Sequence, residues 1–472
     1  MGESRRRGTF EDRKKHAIKR DKGLLLKELG WKDNSDDHHL RAGIAPFLAR
    51  MKPETWKARR LRVLEALKSV HIGTNLENSK PVRVKEDEIG WYLFLCEQAL
   101  DDPLCTDVSQ QSRILPFFVA LGKRWQHVDK IKNINQKIGE ILNKMKSSPD
   151  GLIFEVLVAL AYAEKGWEVD LLQVKPPLKS HDMTVAKNGE TLFIECKRLE
   201  RRTSYAESER QDWLRVWDPA SNILQEKGQW VWFKGVFHVE VFDLPDNFLL
   251  DIFKRNLPIS GREQVIYSGP EATIHARVID KYAVQQHFRD NKVKLHSPML
   301  NHILGGDWAP MDSAVSLVHS VRVSEVAGCE VFSLGAWVDD IGWAAGFTRW
   351  FDSEASIDKK AKDVIYHIKE ALEQLPTNTR SVVHVAAETM EGAEIEFKRT
   401  AKIYESIPEL LKDKPLVSVR VHRIQSRQSI EHLWQIDESV DRFNGDILPP
   451  DVPLMVVQPE DGDLFNYGHW EI

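Results

Sequence analysis

The sequence predicts a mixed α/β fold, and three observations predict it. The N-terminal third repeats apolar residues at helical spacing, a block of short strands surrounds an Asn-Gly turn, and helix and strand signals alternate in the C-terminal half. Residues 1–30 form a basic tail, with nine Lys or Arg against four acids up to residue 22. Such a tail is either a solvated end or an arm that touches phosphate and weakens with salt. Residues 31–147 read as a helical domain. "PETWKARRLRVLEALKSV" (53–70) places Pro in its first turn, and "EIGWYLFLCEQAL" and "VDKIKNINQKIGEILNKM" continue the pattern. "DGLIFEVLVALAYAEKGW" follows Pro149 as an apolar helix, with Asp150 as its cap and Gly166 as its stop.

Residues 148–245 then form a core of their own. Strand-like runs lie at Trp167–Val174, Asp182–Lys187 and Thr191–Leu199, followed by a polar helix from Tyr205 to Glu226 and the β-forming "QWVWFKGVFHVEVF". Residues 246–440 read as an accessory α/β region. It includes a helix at 356–375 and strands at 381–388 and 415–424. If the strand at 381–388 joins the core sheet, residues 246–345 are an insertion and the helix at 356–375 packs on that core. Residues 441–472 are an acidic, Pro-containing tail, and its Pro-rich end after residue 446 is expected to be the least ordered part.

Bulk properties exclude several classes of function. The chain has 472 residues, 42% hydrophobic and 29% charged, with a net charge of −5, so no global basic field announces a nucleic-acid partner. Four cysteines form no CxxC pair, so neither a structural zinc site nor a disulfide framework is expected, which fits a reducing cytoplasm. The basic N-terminus has no apolar segment behind it, so no signal peptide is expected. Runs such as "ILPFFVALG" are too short to span a bilayer. No GxxxxGK[ST] loop is present, so any ATP-driven work falls to a separate ATPase, helicase or sensor protein.

The chemistry concentrates in "TLFIECKRL" (191–199), an apolar strand that ends in charges. Asn188-Gly189 between two β-like runs predicts a two-residue type I′ hairpin. With Lys187 and Glu190 flanking the turn, Asp182 lands directly opposite Glu195, on one face with Lys197, while Ile194 and Cys196 point to the other side. Facing carboxylates repel, and a divalent cation between them reverses the sign. Mg²⁺ is a hard ion that takes one or two protein carboxylates and keeps several waters; Mn²⁺ can substitute. It polarises a phosphodiester and lowers the pKa of a bound water, and a lysine alongside supplies fixed positive charge. Glu155 is the sole charge between Gly151 and Ala163, so it is a third candidate ligand unless it lies on a solvated stripe. Other [DE]-x-K triplets lack this context. The best rival, Glu396-Phe397-Lys398, has no Asp across a tight hairpin and reads as helical.

Helical Glu155, then Asp182, then Glu195-Cys196-Lys197 resembles the PD-(D/E)XK nuclease superfamily, the restriction-endonuclease-like fold. The resemblance covers roughly residues 148–245; His181 stands where Pro is usual. It implies a mixed sheet, metal-dependent cleavage of DNA or less often RNA, and Asp182 and Glu195 as metal ligands. It also implies Lys197 as the group that orients water and stabilises charge, Glu155 as an outer or water-mediated ligand, and the Cys196 backbone carbonyl as a further metal contact. By analogy of fold alone, a bacterial restriction or phage-defence role follows. The alternative is a non-catalytic nucleic-acid-binding or scaffold protein that keeps the fold.

"KRLERRTSYAESER" adds Arg198, Arg201, Arg202, Ser204 and Arg210 as candidate phosphate contacts. The same run also reads as a salt-bridged helix start with Glu200, Glu207 and Glu209. Trp213 and Trp217, at i and i+4, read as a packing stripe rather than a base-stacking platform. His384 and Glu388 suggest a second metal site less well than a hydrogen-bonded core histidine does.

Overall fold

A computed structural model describes residues 10–29, 36–69, 84, 86–144, 148–172, 180–199, 204–295, 297–305, 315–388, 393–427 and 435–457. Helices open the chain: α1 (Phe10–Glu28), α2 (Asp37–Leu48), α3 (Pro53–Ser69), α4 (Glu88–Asp101) and α5 (Val108–Arg124). The carboxylates of Asp87 and Asp107 cap α4 and α5 by accepting from the amides of Gly90 and Gln110. A short strand, β1 (Ile131–Lys132), precedes α6 (Ile134–Asn143) and α7 (Asp150–Glu164). No boundary falls at residue 147. Phe47, Phe94, Phe118 and Ile138 share one continuous core with Phe154 and Leu157 of α7 and with Met183, Leu192 and Ile194 of the strands that follow. The amphipathic helices bury their apolar faces on that sheet, so they form one of its layers rather than a separate domain.

The strands β2 (Glu168–Leu171), β3 (Met183–Lys187) and β4 (Glu190–Arg198) pair antiparallel in sequence. The chain then leaves this sheet. It builds α8 (Ser204–Lys227), β5 (Val231–Phe237), α9 (Phe248–Asn256), β6 (Gln264–Ser268), β7 (Ala272–Val278), α10 (Lys281–Asp290), β8 (Val293–Lys294), α11 (Pro298–Gly305), β9 (Val315–Glu325), α12 (Phe332–Gly335) and β10 (Ala336–Phe351). It returns through α13 (Glu354–Gln374), β11 (Ser381–Glu388), α14 (Ala393–Leu411), β12 (Val417–Arg427) and β13 (Gln435–Phe443).

Two mixed sheets result. The first runs β1-β2-β3-β4-β11-β12-β13, with β11 parallel to both β4 and β12. The second runs β6-β7-β5-β10-β8, with β9 also on β10. The first sheet is covered on one face by the α2–α7 layer. On the other it is covered by α13 and α14, where Val364, Ile368, Ile403 and Ile407 meet Val383, Val385 and Val419. The insertion is wider than the sequence suggests. It begins at α8, and β5 pairs with β7 and β10 rather than with the first sheet, so residues 148–245 are not one unit. Trp213 and Trp217 stack in the core of the second sheet with Phe233, Phe253 and Phe347, as packing residues.

Two further expectations fail. Cys105, after α4, is joined to Cys329, after β9, across 224 residues. No spacing rule reports such a tertiary pairing. The C-terminal stretch to residue 457 is also packed: Val456 and Val457 are buried, and their amides donate to the buried Glu438 carboxylate at 3.0 and 2.7 Å. Residues 458–472 lie outside the described residues. Among the described residues, no helix is long and apolar enough to cross a membrane.

Candidate active site

The Asn188-Gly189 turn sets the geometry. Both residues have positive φ, 50° and 82°, as a type I′ turn requires. Lys187 pairs with Glu190, Val185 with Leu192 and Met183 with Ile194. The ladder ends at Met183 with Ile194, and Asp182 precedes it, its carboxylate close enough to Glu195 for the two charges to interact. The Asp182 amide donates to the Ile194 carbonyl at 3.0 Å, and its own carbonyl accepts from Leu172 N at 2.9 Å, which pins the residue on both sides. Its carboxylate curls over the strand end, where Oδ2 accepts from the Cys196 amide at 2.7 Å.

The strand's two-residue period sorts the rest. Ile194 and Cys196 enter the core under α7, with the Cys196 thiol buried and held well above its ordinary pKa by that burial. Glu195 and Lys197 take the opposite face. Glu195 has 0% exposure, and its Oε1 accepts from Lys197 Nζ at 2.6 Å. The Gln374 amide, at the end of α13, bridges them in the orientation that satisfies both groups. It donates to Glu195 Oε1 at 3.2 Å and accepts from Lys197 Nζ at 2.8 Å. Glu195 Oε2 is buried with no hydrogen-bond partner. The neighbour that can serve it is the Asp182 carboxyl, and only while that group carries a proton.

Burial first, and the Glu195 charge second, push Asp182 up to about 7. Glu195 is also raised by burial, with the Lys197 ammonium opposing. Burial works against the charge on Lys197, but its contact with Glu195 holds it above its ordinary range. Glu155, on α7, is raised to about 7 by burial and then by Asp182. The three carboxylates therefore share one electrostatic site.

Glu155 has a partner that sequence reasoning missed. Lys137 on α6 donates to Glu155 Oε2 at 2.6 Å, and their side chains are only 10% and 12% exposed. A signal was available. Ile134, Ile138 and Ile141 form the buried stripe of α6, and Lys137 falls on that stripe three residues after Ile134.

Arg198 has a side chain that is buried and ion-paired rather than presented to solvent. The same alternation sends it to the core face with Cys196, where its side chain is 3% exposed. There it pairs with Glu388 at 3.1 Å and Asp150 at 3.8 Å and lies over the Phe117 ring. Arg113 joins the cluster, contacting Glu388 at 3.1 Å and Asp150 at 2.8 Å. Glu388 is thus spent on arginines, and His384 instead stacks on His422 and approaches the Tyr162 hydroxyl at 3.2 Å, so the two do not meet at a metal. Arg201 and Arg202 lie outside the described residues; Ser204 begins α8 and Arg210 is half-buried on it, in the helix that leads to the second sheet. The rival triplet at Glu396 lies on α14, where Glu396 pairs with Arg399.

The donor set suits a hard cation: carboxylate oxygens with one buried oxygen unserved. Among the described residues, the one group of three His, Cys, Asp or Glu ligand atoms within 4.8 Å of one another is Asp102, Cys105 and Cys329, and there the cysteines are bonded to each other. Glu155, Asp182 and Glu195 do not converge that tightly. No protein-family model matches the chain, and no curated protein or solved structure matches it either.

Proposed function

We propose that the protein is a metal-dependent nuclease that hydrolyses phosphodiester bonds, of DNA in the first instance, at the site carried by β4. One observation supports this above the rest. The half-buried Asp182 carboxylate lies beside the buried Glu195 at the end of a hairpin set by its turn, with one Glu195 oxygen unserved and a lysine on the Glu195 face. A fold gains nothing from such repulsion, while a divalent cation removes it.

Asp182 and Glu195 would hold the ion, and the Cys196 backbone carbonyl is a further oxygen candidate. Bound Mg²⁺ supplies Lewis-acid polarisation of the phosphodiester and a water of lowered pKa. The Cys196 amide and the Leu172 contact fix Asp182, and Gln374 and Lys197 fix Glu195, so the ligands need little reorganisation. Lys197 is 21% exposed, enough for its ammonium to face a phosphate from outside while Glu195 anchors it. In that position it orients the attacking water and stabilises charge that develops on the phosphate oxygens. The Ile194 and Cys196 side chains lock the strand into the core and keep this face still.

The test is cleavage of supercoiled, linear and single-stranded DNA and of RNA with Mg²⁺, Mn²⁺ or EDTA, beside Asp182→Ala and Lys197→Ala. Metal-dependent cleavage lost in both variants supports the proposal. Undiminished cleavage in either variant overturns the site, and binding without cleavage under any metal overturns the enzyme.

A further inference from the structure

The geometry points to a site built for one divalent cation, with the Lys137 ammonium standing where a second would otherwise be needed. This rests on the proposed nuclease site and specifies its metal content and the role of Glu155. We propose that Glu155 is a partner for Lys137 and not a metal ligand, and that Lys137 is a positioning residue that supplies charge.

Three observations carry it. First, Glu155 is already engaged: its Oε2 accepts from Lys137 Nζ at 2.6 Å, in a pair almost closed to water. A metal that took this oxygen would have to displace a buried ammonium and leave it without its nearest counter-charge, which is strongly unfavourable. Second, Lys137 comes from α6, outside the hairpin and α7, and it is aimed inward from the apolar stripe of its helix. A lysine serving only solubility would lie on the other face. Third, the charges balance for one ion. With all three carboxylates ionised, as a bound cation requires of its ligands, Glu155, Asp182 and Glu195 beside Lys137 and Lys197 leave one net negative charge. One divalent cation turns that into one positive charge, suited to a phosphate. A second would leave three positive charges in a buried space. The three carboxylates also do not converge within 4.8 Å of one another, so they do not form a single three-carboxylate cage.

The readout is a count of bound ions, taken by titrating Mn²⁺ into the full chain and following the free-ion spin-resonance signal and the heat of binding. Wild type is expected to bind one ion, and Lys137→Ala two, because Glu155 is then released. Lys137→Arg, which keeps the charge, is expected to return the count to one, a rescue that a merely structural role would not produce. Glu155→Gln is expected to keep one ion with less than about a threefold change in affinity, well under the tenfold that 1.4 kcal/mol represents. It serves as the arbiter if Lys137→Ala does not fold. Two ions in the wild type, one ion in a folded Lys137→Ala, or loss of the ion in Glu155→Gln each overturn this inference and leave the nuclease reading standing. No ion in the wild type overturns the nuclease site itself.

Discussion

Replacing Asp182 by Asn should make the metal-free protein more stable while removing its metal site. Asn keeps an oxygen that can accept from the Cys196 amide, so the local geometry survives. What it removes is the carboxylate charge beside Glu195. The folded chain holds this carboxyl at about 7, whereas an unfolded chain releases the proton near 3.9. Below about pH 4 the group is protonated in both states and costs nothing. As pH rises toward 7 the unfolded chain gives up the proton while the folded chain keeps it, so stability falls through that window and is lowest above it. About three pKa units correspond to roughly 4 kcal/mol. Because the proton is shared with Glu195, about half of that is a fair expectation for Asp182 alone, ~2 kcal/mol. With an unfolding entropy of about 2.1 cal/mol/K per residue, the gain is on the order of 2 °C in Tm for a chain of this length.

The assay is thermal unfolding of both proteins in EDTA near pH 4 and near pH 8, repeated with Mg²⁺. Asp182→Asn should melt higher than wild type in EDTA at the higher pH and nearly with it at the lower. Mg²⁺ should raise wild type alone, since only it binds the ion in the folded state. An Asp182→Asn protein that melts lower than wild type at both pH values, with no effect of Mg²⁺ on either, would refute the idea that these carboxylates repel in the folded state.

Lys197→Met should lower kcat by about 10²- to 10³-fold while leaving Mn²⁺ bound, since the lysine stabilises developing charge and is not a ligand; a calorimetric titration beside a cleavage assay separates the two effects. Arg198→Ala should destabilise by about 1.5–3 kcal/mol, because it removes one of the two arginines that neutralise the buried Glu388 and Asp150 while Arg113 keeps its contacts with both, and denaturant unfolding reads this directly. The salt dependence of DNA binding should not change in that variant, and a slope smaller by about one would put Arg198 on a phosphate after all. Gly122→Ala should cost on the order of 2–3 kcal/mol. A Cβ there meets the His39 carbonyl, as one at Gly43 meets the Phe118 carbonyl, so α2 and α5 would have to separate, and melting curves would show it.

The hairpin was readable because its determinants are local. Asn188-Gly189 dictates the turn, the turn dictates the register, and the register dictates which side chains share a face. Glu155 was readable as an anomaly, a single charge in an apolar helix. The same alternation that groups Glu195 with Lys197 sends Arg198 to the opposite face, into its ion-pair cluster, so a basic run in sequence does not by itself place its first arginine at the site. Lys137 was missed for a different reason. Its signal, a cation on an apolar stripe, gains meaning only when Glu155 is known to lie across from it, and nothing in sequence joins α6 to that point of α7.

Longer-range organisation was less readable, and the reason is energetic. β4 and β11 are neighbours in one sheet although the whole second sheet intervenes between them. The entropy of closing a loop grows only with the logarithm of its length, so an insertion of this size barely perturbs the pairing and leaves no mark on either strand. "VWFKGVF" of β5 is apolar enough to suit either sheet, and pattern alone assigns it to neither. What fixes the insertion lies at its two ends. Its first helix starts just past the site, and the Glu209 carboxylate on α8 accepts from Ser356 Oγ at 2.9 Å and pairs with Lys360 Nζ at 3.0 Å, both on α13. The far end of α13 carries Gln374, whose amide bridges Glu195 and Lys197. The helix that closes the insertion is therefore the helix that steadies the candidate site, and this gives the long detour between β4 and β11 a fixed mechanical relation to the chemistry proposed there.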